Sequence, residues 1–275
     1  MAALRVTRKS LQRRYGASAN ELLRLAVRMP GRPTPDDIHD LRVTARRIQV
    51  MRRLLPAEVR QSQASKRFDL VLKSVMKSTS QLRDMDTLMD TLGGHGSSLP
   101  PELFVTLENQ RSDASARARA PIAVLADIPA PDLEQSEIRG KKVSRRLRKS
   151  VRRRGRRISG LLTRVLNDES KVEELHSLRK EAKKMRYLLE LADGESGQLA
   201  TLTKWQESLG GIHDLDVAVA YLDRYQFAHK QDAILGLTRA RHASYAKFVH
   251  DFRTSYMRGE EVPFKVAPDF MAIAW

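Results

Sequence analysis

Apolar residues recur at helical spacing along almost the whole chain, and Pro- or Gly-rich stretches interrupt the pattern at intervals. Residues 3 to 28 read as a first helix, with Leu4, Leu11, Leu22, Leu23, Leu25 and Ala26 among its apolar positions, and Met29 to Pro35 breaks it. A second helix over 36 to 55 takes Thr34 or Asp36 as its cap and stops at Pro56. A third spans 57 to 92, with a bend expected near the polar run Lys77 to Gln81, and the stretch Gly93 to Ser98 ends it. A fourth runs from Pro101 to about residue 126. The segment Ile128-Pro129-Ala130-Pro131 then marks a boundary, giving a first unit over residues 1–132 and a second over 133–258. The second unit opens with a helix from Lys141 that closes at Asn167 to Ser170, followed by helices over 171–192, 198–224 and 230–257. Asp193 to Gly197 reads as a loop, and the tail 259–275 either docks on the body or frays. No stretch reads as a strand, so the predicted class is all-α.

The polar faces of these helices are unusual. With His39 at zero on a helical wheel, Arg42, Arg46, Gln49 and Arg53 fall within about 80° on one side, Arg47 flanks them, and Leu41, Ala45, Ile48, Met51 and Leu55 collect opposite. A solvated helix face ordinarily mixes Glu with Lys and Arg for i,i+4 pairing, yet after Asp40 no acid occurs until Glu58. The stripe therefore calls for an external anion. Between Lys141 and Arg157, eleven of seventeen residues are Lys or Arg and none is acidic. That segment is nonetheless amphipathic, with Val143, Leu147, Val151, Ile158, Leu161 and Val165 on one side and Arg145, Lys149, Arg152, Arg153 and Arg156 on the other, which argues against a disordered basic tail.

Composition widens the same point to the whole molecule. The 275 residues carry 50 Lys and Arg against 33 Asp and Glu, a formal net charge of +17, which suits a polyanionic partner: nucleic acid, an acidic membrane or a phosphate polymer. The 41% hydrophobic content is enough to build a core in a chain of this length. Without cysteine there is no disulfide, thiolate metal site or cysteine nucleophile, in keeping with a reducing cytoplasm. No apolar run approaches the roughly twenty residues of a spanning helix, so a soluble cytoplasmic protein is expected, with no membrane partner. The Arg-rich, acid-free N-terminus lacks a secretory apolar core; an organellar transit peptide is the competing reading.

The first basic stripe has an echo. Shifted by 137 positions, His39-Asp40-Leu41-Arg42 lies on His176-Ser177-Leu178-Arg179, and Ala45-Arg46-Arg47-Ile48 lies on Ala182-Lys183-Lys184-Met185. Shifted by 130, Leu82-Arg83-Asp84-Met85-Asp86 lies on Ile212-His213-Asp214-Leu215-Asp216. The order is preserved, so two helical halves of one design are expected. These segments carry a resemblance to a known family: the HxxRVxxRR helix from His39 to Arg47, the HxLRKxxKKxRY helix from His176 to Tyr187, RDxD at Arg83 to Asp86 and LGxxHDLDV at Leu209 to Val217. Together they resemble the CHAD (conserved histidine α-helical domain) proteins over about residues 5 to 258. The resemblance implies two pseudo-symmetric antiparallel four-helix bundles whose basic helices line a central cavity or groove, and binding of inorganic polyphosphate without catalysis. One departure is Ser78-Thr79-Ser80-Gln81, where the family tends to show an apolar-Gly pair before the acidic motif.

On this reading the polyphosphate contacts are His39, Arg42, Arg46, Arg47 and Arg53; His176, Arg179, Lys180, Lys183, Lys184 and Arg186; Arg145, Lys149, Arg152, Arg153 and Arg156; and Arg8 with Lys9. Each histidine starts a stripe, where it either hydrogen-bonds a neighbouring helix or, protonated, meets phosphate. Neither has a ligand-type residue at i+3 or i+4, so no metal site and no cofactor are expected. In the pairs Asp84/Asp86 and Asp214/Asp216, two-residue spacing turns the carboxylates about 200° apart on a helix, which excludes a simple acid/base dyad. A structural role is expected instead, with one acid of each pair anchoring an Arg or His of a basic helix. Trp205 and Tyr187 read as core, and 5% aromatics leave little stacking surface for single-stranded nucleic acid. No motif assembles a nucleophile, base and oxyanion site, so an enzyme is not expected. The expected function is polyphosphate binding, in the cytoplasm or on polyphosphate granules. The alternatives are a metal-dependent phosphohydrolase or its accessory subunit acting through the Asp pairs, and a nucleic-acid binder.

Overall fold

The computed structural model describes residues 4–29, 31–95, 99–133, 138–192 and 197–258. Every regular element among them is helical: α1 (Arg8–Val27), α2 (Pro35–Leu54), α3 (Ala57–Gln61), α4 (Gln63–His95), α5 (Pro101–Asp127), α6 (Gly140–Val165), α7 (Val172–Leu189), α8 (Gly197–Leu222) and α9 (Lys230–Met257). The chain is all-α, as its periodicity predicts. The predicted tail 259–275, residues 96–98 and residues 193–196 lie outside the described residues, while α4 continues through Gly93 and Gly94 to His95 instead of ending before them.

Two boundaries differ from the sequence reading for local reasons. Helix α1 starts at Arg8 rather than residue 3 because Thr7 caps it, its hydroxyl accepting from the Ser10 amide at 3.0 Å. Just upstream, Val6 is tied to α6: its amide donates to the Ser144 hydroxyl at 3.0 Å, and that hydroxyl donates to its carbonyl at 3.1 Å. This crossing brings backbone close to Gly140, where an added Cβ would stand 3.2 Å from the Arg8 nitrogen. The predicted third helix is two helices. Ser62 adopts an extended backbone, and its hydroxyl accepts from the Ser65 amide at 3.3 Å, so the chain stops α3 and restarts as α4. Helix α4 then runs unbroken through Lys77 to Gln81. For α2 the choice of cap is settled by a capping box in which Thr34 and Asp37 satisfy each other's backbone amides.

Contacts divide the described residues into two compact units, one drawn from 5–90 with 100–146 and the other from residue 4, 91–99 and 147–258. The proline-rich segment 128–131 precedes that division because the start of α6 packs with the first unit through Ser144. In the first unit α1 packs on α2 and α5, around Leu11, Leu22, Leu41, Ile48, Phe68, Leu72 and Leu107, all fully buried. In the second α8 packs on α7 and α9, around Leu162, Leu178, Met185, Leu202, Ile212, Phe248 and Phe252. Each core is supplied by the apolar stripes of four long helices, so the opposite stripes are left for function.

Candidate functional site

In the second unit the acids of α8 organise the basic helix α7. Asp216 receives His176 Nε2 at 3.1 Å on one carboxylate oxygen, and Arg241 Nε of α9 donates to the other at 3.0 Å. Arg241 also donates from Nη2 to the Glu169 carbonyl at 2.8 Å, tying α9 to the loop before α7. Burial alone would raise the Asp216 carboxyl, but the hydrogen bonds and charges of His176 and Arg241 outweigh it and hold the carboxyl below the usual range. Its neighbour Asp214 lies 3.0 Å from His213 Nδ1 and 3.9 Å from Arg179, and the His213 ring sits 4.5 Å from that of His176. Both carboxylates of the pair thus contact stripe residues, Asp216 on His176 and Asp214 near Arg179.

Because the folded-state pKa of Asp216 is depressed, its contribution to stability is fully present above the unfolded-state value of about 3.9 and is lost as pH falls through the folded-state value. Asp216→Asn should therefore destabilise the second unit at neutral pH, with the gap from wild type closing below about pH 4. Urea unfolding followed by Trp205 fluorescence in a Trp275→Phe background measures this, and a gap that widens in acid would contradict it.

The first unit repeats the connection with one change. Arg111 Nε of α5 donates to Asp86 at 2.6 Å, and its Nη2 donates to the Pro33 carbonyl ahead of α2 at 2.7 Å. Arg111 follows Asp86 by 25 residues, as Arg241 follows Asp216, so the shift that overlays the acids also overlays these arginines. The sequence reading missed both arginines, although that shift contains the signal. Unlike Asp216, Asp86 has a buried second oxygen with no hydrogen-bond partner. In this unit Asp86 ties α5 to α4, while the charge of its neighbour Asp84 acts on the stripe residue Arg42.

Arg42 is placed differently from the rest of its stripe. It is only 6% exposed, and its Nη1 donates at 2.8 Å to both the Met76 carbonyl and the Thr79 hydroxyl. Burial, with the like charges of Arg46 and Arg83, lowers its pKa to about 10 against the favourable charge of Asp84, so it stays cationic at neutral pH. Thr79 lies in the segment that departs from the family pattern. It is fully buried, donates to the Val75 carbonyl and accepts from Arg42, so a polar residue there has a partner that an apolar one would not supply. A second buried cation, Arg52, grips Asp69 through Nε at 2.5 Å and Nη2 at 2.6 Å and is structural.

The remaining predicted contacts lie on outer faces. In the first unit Arg8, Lys9, His39, Arg47, Arg53 and Arg145 are exposed and Arg46 is half-buried. In the second, Lys149, Arg152, Arg153, Arg156 and Lys180 are exposed, and Lys183 and Lys184 are half-buried. Arg186 is held by the Gln206 side chain at 2.8 Å and by Glu190, and stacks over Tyr187 at 4.7 Å. Trp205 is buried against Phe248 and Phe252, and Tyr187 is buried too, so both are core. Among the described residues no three His, Asp or Glu side chains gather as a metal-ligand set, and no helix is long and apolar enough to cross a membrane.

The family model of the CHAD domain matches residues 16–223. Among solved structures the fold is similar to the CHAD domain from the plant Ricinus communis, with a TM-score of 0.58 at 20% identity, over 99% of this chain and 92% of that one. No curated protein matches by sequence. With its paired stripes, Asp–Arg ties and a family match over most of its length, the chain belongs to the CHAD domain family.

Proposed function

We propose that this protein binds inorganic polyphosphate along the basic faces of α2, α6 and α7, without chemically altering it. The observation that carries this reading is the outer face of α6, where Arg145, Lys149, Arg152, Arg153 and Arg156 are all exposed above a buried apolar stripe. A linear phosphate polymer offers a charge on every unit, which Arg meets with forked donors and Lys as a point charge. Binding is then driven largely by counterion release and weakens steeply with salt. The arginines of α2 on the first unit and the lysines of α7 on the second supply further phosphate contacts, each within its own unit. Association with polyphosphate granules in the cytoplasm follows as the cellular expectation.

Competition tests the reading. At equal phosphate concentration and near-physiological salt, polyphosphate should displace duplex DNA or RNA, because the protein carries the charge for a backbone but few stacking or groove-reading elements. Preference for duplex DNA or RNA would overturn it. Metal-dependent release of phosphate from the polymer, abolished by Asp214→Asn, would instead support a phosphohydrolase.

A further inference from the structure

Within the basic run of α7 from His176 to Leu189 there is one acid, Glu181. It is not a solvated counter-charge. Its side chain is 4% exposed, and three cations from two helices converge on it: Arg154 of α6 at 2.5 Å, Lys184 of α7 at 3.0 Å and Arg157 of α6 at 4.0 Å. The cluster keeps a net charge of +2 around a single carboxylate. Lys184 and Arg157 are 43% and 65% exposed, so their remaining donors face outward. Arg154 is nearly buried, and its Nε has no hydrogen-bond partner. Burial alone would raise the Glu181 carboxyl, but the hydrogen bonds from Lys184 and Arg154 and their charges prevail and keep it ionised.

The first unit shows that a helix of this design packs without such an acid. At the position 137 residues earlier stands Thr44, buried and without a charge. Packing of the stripe helix therefore does not by itself require Glu181, while the approach of three cations to one another does: like charges at this separation repel unless an acid lies between them. We propose that Glu181 is a positioning residue for polyphosphate, gathering Arg154, Arg157 and Lys184 into one anion-binding cluster on the second unit. The inference rests on the polyphosphate reading and adds to it a residue of the wrong charge.

That charge makes the test sharp. If Glu181 merely dilutes the positive field, Glu181→Gln strengthens binding; if it positions the cations, Glu181→Gln weakens binding even though the net charge rises by one. Titration of the full chain with a long-chain inorganic polyphosphate at several salt concentrations should show at least about a fivefold loss for Glu181→Gln. The slope of log affinity against log salt should become shallower by about 0.7 for each phosphate that the variant no longer neutralises. Glu173→Gln, an exposed acid on the same helix, makes the same charge change and should leave binding equal or tighter. Glu181→Asp keeps the charge with a shorter reach and should lose less, which also carries the test should the Gln variant fold poorly. Tighter binding by either Glu181 variant, or an unchanged affinity and salt slope, would overturn the assignment. Absence of binding by the wild type would overturn the polyphosphate reading and this inference with it.

Discussion

Reversing two stripe charges together, Arg46→Glu with Lys183→Glu, should weaken polyphosphate binding by on the order of a hundredfold near physiological salt. Reversing the exposed Arg224 and Arg239, which belong to neither stripe, should cost far less. Both double variants change net charge by the same amount, so a difference between them isolates position from total field. With two fewer phosphates neutralised, the salt slope should also flatten by about 1.4, taking 0.7 for each on a single-stranded polyanion. Equal losses from the two pairs would remove the stripes from the site and leave only non-specific attraction by a cationic protein.

The second large effect concerns stability and separates the two units. Arg111→Ala should destabilise the first unit by about 3 kcal/mol, because it leaves Asp86 buried with neither oxygen paired. Arg241→Ala should cost roughly half as much, since Asp216 keeps its contact with His176 at 3.1 Å. Replacing the first pair outright, Asp86→Leu with Arg111→Met, should recover most of the loss, because no charge is then left buried. Denaturant unfolding of each variant measures these differences. Equal costs for the two arginines would mean that the unpaired oxygen of Asp86 carries no energetic weight.

These ties explain how a chain with so many cations folds. The cations divide into those that bind the protein and those that face outward. Arg52, Arg111 and Arg241 are consumed by Asp69, Asp86 and Asp216, each pair joining two helices. The exposed residues of α6 retain a face with no acid of its own helix beside it. At the solvent-facing positions screening limits the cost of self-repulsion, whereas the buried Arg42 feels the like charges of Arg46 and Arg83.

By itself the sequence determined which segments are helical, that one side of α2, α6 and α7 is basic, and that the second half echoes the first. Those properties follow from the 3.6-residue period, which is local and can be read by counting. It also contained more than was read from it: Arg52 falls at about 220° from His39, among the apolar positions, and so marks a buried cation. Only the tertiary structure decided which stripe residues face solvent. Arg42 sits at the stripe's edge, and its burial depends on the approach of α4, which supplies the Met76 carbonyl and the Thr79 hydroxyl from 34 and 37 residues away. The break at Ser62 is a side-chain hydrogen bond competing with the helix, invisible to a hydrophobic pattern. The partners of Asp86 and Asp216 lie 25 residues downstream on other helices, and the cations on Glu181 come from both α6 and α7. Distances between helices are set by packing, and no periodicity along one helix contains them.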